Sequence, residues 1–373
     1  MKQNLSPMWT KRKINSLYIH IPFCHHLCHY CDFPKMLYDE KMAFSYVDSL
    51  LDELDTYQID KVETIYVGGG TPSALNIELL DKLMSRLQPL LVDGGEFTVE
   101  INPENTNKEK LELLKKYGVN RLSIGLQSSH PNIFKILNRK HSFEDVENIV
   151  DIARKLVFSS INIDLIYGVP SQNIEMLQDD ISKVLSLNPE HISIYSLTIH
   201  PGTVFFLKGF CEQNQDDSRS YYDLILKELR NHGYQRYEVS NFAKPGFKSR
   251  HNLTYWRNEP YYGVGLGASG FIEGVRYDNT RNMTAYLNGQ YRYVEEKIDR
   301  LEDEKYFWML NLRLEDGFDI NEYVSRYGKK RLEEREKTLT DAFNNALMIK
   351  SKGRIAPSDE GLMVLDRILL KII

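Results

Sequence analysis

Leu17-Tyr-Ile-His-Ile-Pro-Phe-Cys24-His-His-Leu-Cys28-His-Tyr-Cys31 decides how this chain reads. Its first half alternates: Leu17, Ile19 and Ile21 are apolar, and Tyr18 and His20 between them are polar. Side chains alternate faces along a strand, so the segment predicts a strand with one oily face and one polar face. Its second half sets three thiols at CxxxCxxC spacing in the loop that follows.

Working outward, residues 17–23 open a series of six strand-like segments, continued at 62–67, 97–101, 122–127, 161–166 and 192–198. Amphipathic stretches at 44–57, 77–91, 108–117, 143–156 and 174–187 lie between them. Strands alternating with helices imply βαβ units and a parallel sheet. Parallel strands buried on both faces read as continuous apolar runs. Several of these alternate instead, setting Thr98 and Glu100, Ser123, Gly125 and Gln127, Asn162 and Asp164, and Ser193 on the polar parity. A closed eight-strand barrel fills its interior with branched apolar side chains. A polar interior therefore predicts an α/β fold with an open, partial (β/α)6 barrel around a polar ligand. The boundaries expected are a tail at 1–16, the barrel core at 17–200, an aromatic barrel extension at 201–300 and a mostly helical C-terminal domain at 301–373.

The 373 residues carry a formal net charge of -5, against the basic balance of a nucleic-acid binder. No apolar run approaches the roughly 18 residues of a membrane span, and no signal-peptide pattern opens the chain. The expected location is the cytoplasm, with reduced thiols. Three of the four cysteines then read as ligands, and Cys211, alone, as a small hydrophobe. Three thiolates hold three irons of a [4Fe–4S] cube and leave the fourth open. Zinc with one of His25, His26 or His29 is the rival, and unrelated buried thiols the third reading. Gly68-Gly-Gly-Thr-Pro72 allows close backbone approach to a ligand, or simply a tight turn. Glu100, Gln127, Asp164 and Arg139 sit at strand ends or just beyond, where they converge on the cysteine loop or act singly as structural polars.

Together these motifs, with Val99-Glu-Ile-Asn-Pro103, Asn138-Arg139 and Asn162-Ile-Asp-Leu-Ile-Tyr-Gly-Val-Pro170, resemble the radical S-adenosylmethionine (SAM) superfamily. The likeness is to its anaerobic coproporphyrinogen III oxidase-like branch, which holds a HemN-type oxidase and a HemW-type heme chaperone. The resemblance implies that Cys24, Cys28 and Cys31 hold a [4Fe–4S] cluster. It implies that Tyr18, Gly69, Gly70, Thr71 and Glu100 line the SAM site, and that Gln127, Arg139 and Asp164 match positions that contact SAM or, in the oxidase, a second SAM; Thr198 falls near a further such position. The oxidase motif continues with a fourth cysteine two residues after the third, where this chain has Phe33. The oxidase is also expected to have a longer N-terminal extension. Both departures imply a chaperone that binds heme and passes it to an acceptor protein, rather than an oxidase that decarboxylates coproporphyrinogen III. No residue is assigned a catalytic role.

His251-Asn-Leu-Thr-Tyr-Trp256 resembles the HNxxYW pattern of the chaperones, with His251 either a heme ligand or a hydrogen-bonded member of an aromatic loop. The glycine run Gly263-Val-Gly-Leu-Gly267 reads as close backbone packing rather than a nucleotide loop. Heme, an acceptor protein and an electron donor for the cluster are the expected partners. A homodimer and a transient membrane contact are compatible with the sequence without being required by it.

Overall fold

A computed structural model describes residues 12–372, so most of the expected tail lies outside the described residues. The six anticipated strands all form: β1 (Ser16–Ile21), then, after the short pair β2 (Phe23–Cys24) and β3 (Met36–Leu37), β4 (Val62–Gly69), β5 (Leu91–Ile101), β6 (Arg121–Gln127), β7 (Ser160–Tyr167) and β8 (His191–Ser196). They lie side by side in chain order and run parallel, so all their carboxyl ends reach one rim. The connecting helices are α1 (Glu40–Thr56), α2 (Ile77–Leu87), α3 (Lys108–Lys116), α4 (Pro131–Leu137), α5 (Phe143–Lys155) and α6 (Ile174–Ser186). Side-chain oxygens of Asp39, Asn76, Asn107, Ser142 and Asn173 cap five of them by accepting from the first turn.

The apolar parity of each strand packs under these helices in one core: Ile19, Val67, Val99, Ile124, Ile163 and Ile192 are all buried there. Each such side chain contributes on the order of 1.5–3 kcal/mol on burial. The opposite parity faces the inside of the curved sheet.

The sheet has nine strands rather than six. Beyond α7 (Val204–Leu207) and α8 (Gln215–Asn231), β9 (Gln235–Arg236) and β10 (Asn241–Ala243) extend the β8 edge antiparallel. After α9 (Arg250–Trp256), β11 (Tyr262–Val264) pairs parallel with β1 at the other edge. These strands are two or three residues long, too short to show a period. The glycine run lies against β1 and the cysteine loop. A Cβ on Gly265 (φ +113°) would sit 2.6 Å from the His20 carbonyl oxygen, and one on Gly267 2.5 Å from the Pro34 side chain.

β12 (Ser269–Ile272), β13 (Val275–Asn279) and β14 (Arg292–Lys297) form a separate antiparallel sheet. From α10 (Arg300–Asn311) onward a second core gathers Phe307, Trp308, Phe318, Tyr323 and Ile355. This region is not only helical: β15 (Phe318–Asp319), β16 (Met348–Ser351) and β17 (Arg354–Pro357) make a three-stranded sheet. Its hairpin turns on Lys352 and Gly353, both with positive φ, a two-residue turn flanked by strands too brief to read from pattern.

Candidate functional site

The polar parity and the cysteine loop enclose one cavity of about 410 Å³ at the carboxyl rim. Ten of the twelve expected site residues line it: Cys24, Cys28 and Cys31; Gly69, Gly70 and Thr71; Glu100, Gln127, Arg139 and Asp164. Thr198 lines it too.

Small residues are needed along this wall. A Cβ on Gly68 would lie 2.8 Å from the Glu100 carboxyl, and one on Gly125 2.5 Å from Arg139 Nη2. A Cβ on Gly70 would come within 3.0 Å of Cys24 Sγ and 2.9 Å of the Phe23 carbonyl oxygen. Thr71 is tied in by Asn102 Nδ2, which donates to its Oγ1 at 2.9 Å, and its hydroxyl lies 3.5 Å from Cys24 Sγ. Arg139 Nη2 donates to the Gly125 carbonyl at 2.6 Å and to Asn102 Oδ1 at 3.1 Å, while Nη1 stands 3.7 Å from Cys28 Sγ. Its Nε is buried without a partner, as is Nε of Arg121 across the cavity. Gln127 ends β6 at φ +73°, a left-handed conformation that costs a non-glycine residue energy and collects at functional sites.

Glu100 accepts from Tyr66 Oη at 2.7 Å and from the Gly69 amide at 3.1 Å. Burial raises its carboxyl to about 7, with Asp164 adding like-charge repulsion. Asp164 accepts from Asn162 Nδ2 at 2.7 Å and is itself raised by burial. Burial also pushes the Cys24 thiol up to about 11 and raises that of Cys31. Thiolates here therefore need positive charge beside them, as iron provides.

The donor set fits a cluster. Among the described residues no group of three His, Cys, Asp or Glu side chains converges closely enough to share one metal ion. Three thiols lining one cavity suit a cube that takes one thiolate per iron. Two of the three rival histidines point elsewhere: His25 Nε2 bonds the Ala74 carbonyl at 3.2 Å and His29 Nδ1 that of Ile136 at 2.9 Å.

Two expected site residues are not on the cavity wall. The hydroxyl of Tyr18 is 3.0 Å from His20 Nδ1. His251 is fully buried, with Nδ1 at 2.8 Å from Thr64 Oγ1 and Nε2 at 2.7 Å from Tyr255 Oη. With both nitrogens engaged it offers no ligand to heme iron as it stands. Instead α9 plugs the lower end of the barrel, where Glu96 accepts from the amides of Arg250 and His251 at 2.9 and 3.0 Å.

Tyr66, Arg121 and Tyr195 also line the wall without having been expected there, and Ser193 joins them from the polar parity. Tyr66 follows the parity of Thr64 and Gly68 on β4, which alternation would have shown had it been read there.

Residues 18–184 match the family model of the radical SAM superfamily. The heme chaperone HemW of Lactococcus lactis is 37% identical over 94% of this chain and 95% of its own length. That of Bacillus subtilis is 38% identical over 85% and 88%. The chain belongs to the HemW family of the radical SAM superfamily. The HemW relative from Escherichia coli is 36% identical over 84% of this chain and 86% of its own. The HemW fold extends to a solved coproporphyrinogen III oxidase, HemN from Escherichia coli. That structure superposes with a TM-score of 0.85 over 97% of this chain and 91% of its own, at 22% identity, which speaks to fold alone. As a radical SAM family member the chain takes a [4Fe–4S] cluster and SAM. No helix among the described residues is long and apolar enough to cross a membrane.

Proposed function

We propose that this chain is a heme chaperone that holds a [4Fe–4S] cluster and SAM at the barrel rim and delivers heme to an acceptor protein. Similarity along nearly the whole length of chains named as heme chaperones carries the reading. Phe33 supports it: at the position of the oxidase's fourth cysteine stands an exposed aromatic at the cavity mouth, 64% accessible. Cys24, Cys28 and Cys31 would hold the cluster, which supplies one low-potential electron when bound. The amides and hydroxyl of Gly69, Gly70 and Thr71 would hold the polar groups of SAM, with Glu100 and Asp164 accepting and Arg139 pairing with a carboxylate. Gln127 would donate and accept beside them. The protein's part is orientation and exclusion of water.

An electron donor and a heme acceptor follow as partners, in the cytoplasm. The test is anaerobic heme titration of the purified chain beside an assay for coproporphyrinogen III decarboxylation with SAM and reductant. Saturable heme binding without porphyrin product is expected. Absence of a saturable Soret change, or formation of product, overturns the proposal.

A further inference from the structure

The HNxxYW helix α9 meets the cavity directly at Asn252 and reaches Glu100 through one line of contacts. Thr64 Oγ1 donates to Ser16 Oγ at 2.9 Å, so it accepts from His251 Nδ1–H, and His251 Nε2 accepts from the Tyr255 hydroxyl. Both ring nitrogens being fixed, the imidazole plane is fixed. That plane stacks on Tyr66, with centroids 5.2 Å apart and planes at 29°. Tyr66 in turn donates to Glu100 Oε1 at 2.7 Å, while the Gly69 amide holds Oε2. Glu96, four residues before Glu100 on the same face of β5, anchors the start of α9. One strand therefore holds both ends of the line.

We propose that His251 is a positioning residue for the SAM site, acting through the Tyr66 ring to aim the Glu100 carboxylate into the cavity. The inference rests on Glu100 facing SAM. It gives the HNxxYW helix a task at the cofactor end of the barrel, with no direct contact to heme. Tyr66 is the connecting element because it touches all three parties: it lines the cavity, bears on His251 and donates to Glu100. Removing its hydroxyl leaves the carboxylate with only the Gly69 amide among these donors.

The test uses the full chain carrying its reconstituted cluster, titrated with SAM by calorimetry and by the EPR spectrum of the reduced cluster. Tyr66→Phe and His251→Gln are each expected to weaken SAM binding about tenfold, the effect of losing or misaligning one bond to a charged group. The EPR response should then need correspondingly more SAM, with iron content and heme titration unchanged. In a Glu100→Gln background neither substitution should add a further loss, since all three act through one carboxylate. Unchanged SAM affinity in Tyr66→Phe, or additive losses beside Glu100→Gln, overturns the proposal. So does loss of heme affinity with SAM affinity kept in His251→Gln, which would assign α9 to the cargo. If His251→Gln does not fold, Tyr66→Phe, which removes a single oxygen, decides alone. A parent chain that fails to bind SAM would instead sink the reading of the cavity itself.

Discussion

The lower and upper halves of the barrel interior are both polar, yet they are built on opposite terms. In the lower half the polar groups around α9 are spent on one another: Ser16, Thr64, Thr254, His251 and Tyr255 form one chain, and Glu96 and Ser249 hold the start of α9. In the upper half Arg121 and Arg139 each keep a buried Nε unpartnered, Gln127 sits in a strained backbone conformation, and Glu100 and Asp164 are raised by burial. Buried polar groups without partners are costly and mark places awaiting a ligand. Polarity alone therefore does not locate the site; polarity left unspent on a cavity wall does.

The largest expected effect breaks the upper half. Cys24→Ser, Cys28→Ser or Cys31→Ser should each abolish the cluster, bringing iron and sulfide content after anaerobic reconstitution close to zero. Far-UV circular dichroism should stay near that of the parent, because a chain this long folds on its hydrophobic cores. Full iron content in any one of them would reject the ligand set.

Next in size is a contrast in stability between the halves. His251→Leu strips two bonds from a closed network and should cost about 2–4 kcal/mol in denaturant unfolding. Glu100→Gln removes a carboxyl whose ionised form burial disfavours, and should change stability by less than about 1 kcal/mol or raise it. Equal losses would erase the distinction drawn between plug and wall.

The smallest effect concerns pH, and the halves differ in sign. Burial lowers His251 to about 3 from 6.5, so the unfolded chain takes up a proton that the folded chain refuses. Its contribution is lost as pH falls from about 6.5 toward 3. Glu100 is raised from 4.5 to about 7, so the folded chain keeps a proton that the unfolded chain has released. That contribution is present below pH 4.5 and lost as pH rises through about 7. Unfolding of the chain without cofactors, followed across this range, should show both slopes. Glu100→Gln should flatten only the one at higher pH; persistence of that slope would reassign it.

Much of the site was legible because parallel strands impose a period of two and end at one rim. Glu100, Gln127 and Asp164 were found by that rule, and the cysteines and Gly68-Gly-Gly-Thr-Pro72 by following the strand into its loop. Tyr18 shares the polar parity yet is not on the cavity wall, and His251 sits in a motif whose spacing says nothing of depth. Arg121 was missed because a charged residue at a strand's start reads as a solvated end, whereas here it is buried. The edge strands β9, β10 and β11 escaped because two or three residues carry no period.

By itself the sequence determined the parallel six-strand core, the polar interior, the cysteine loop and the chaperone-like departure at Phe33, since each is written in spacing or local alternation. Tertiary structure alone decided which polar residues are spent on one another and which remain for a ligand. His251 and Glu100 look alike as polar residues of an aromatic, strand-rich chain. Only the closing of α9 into the barrel floor, through contacts more than 150 residues apart in the chain, commits the first to the plug and leaves the second at the rim.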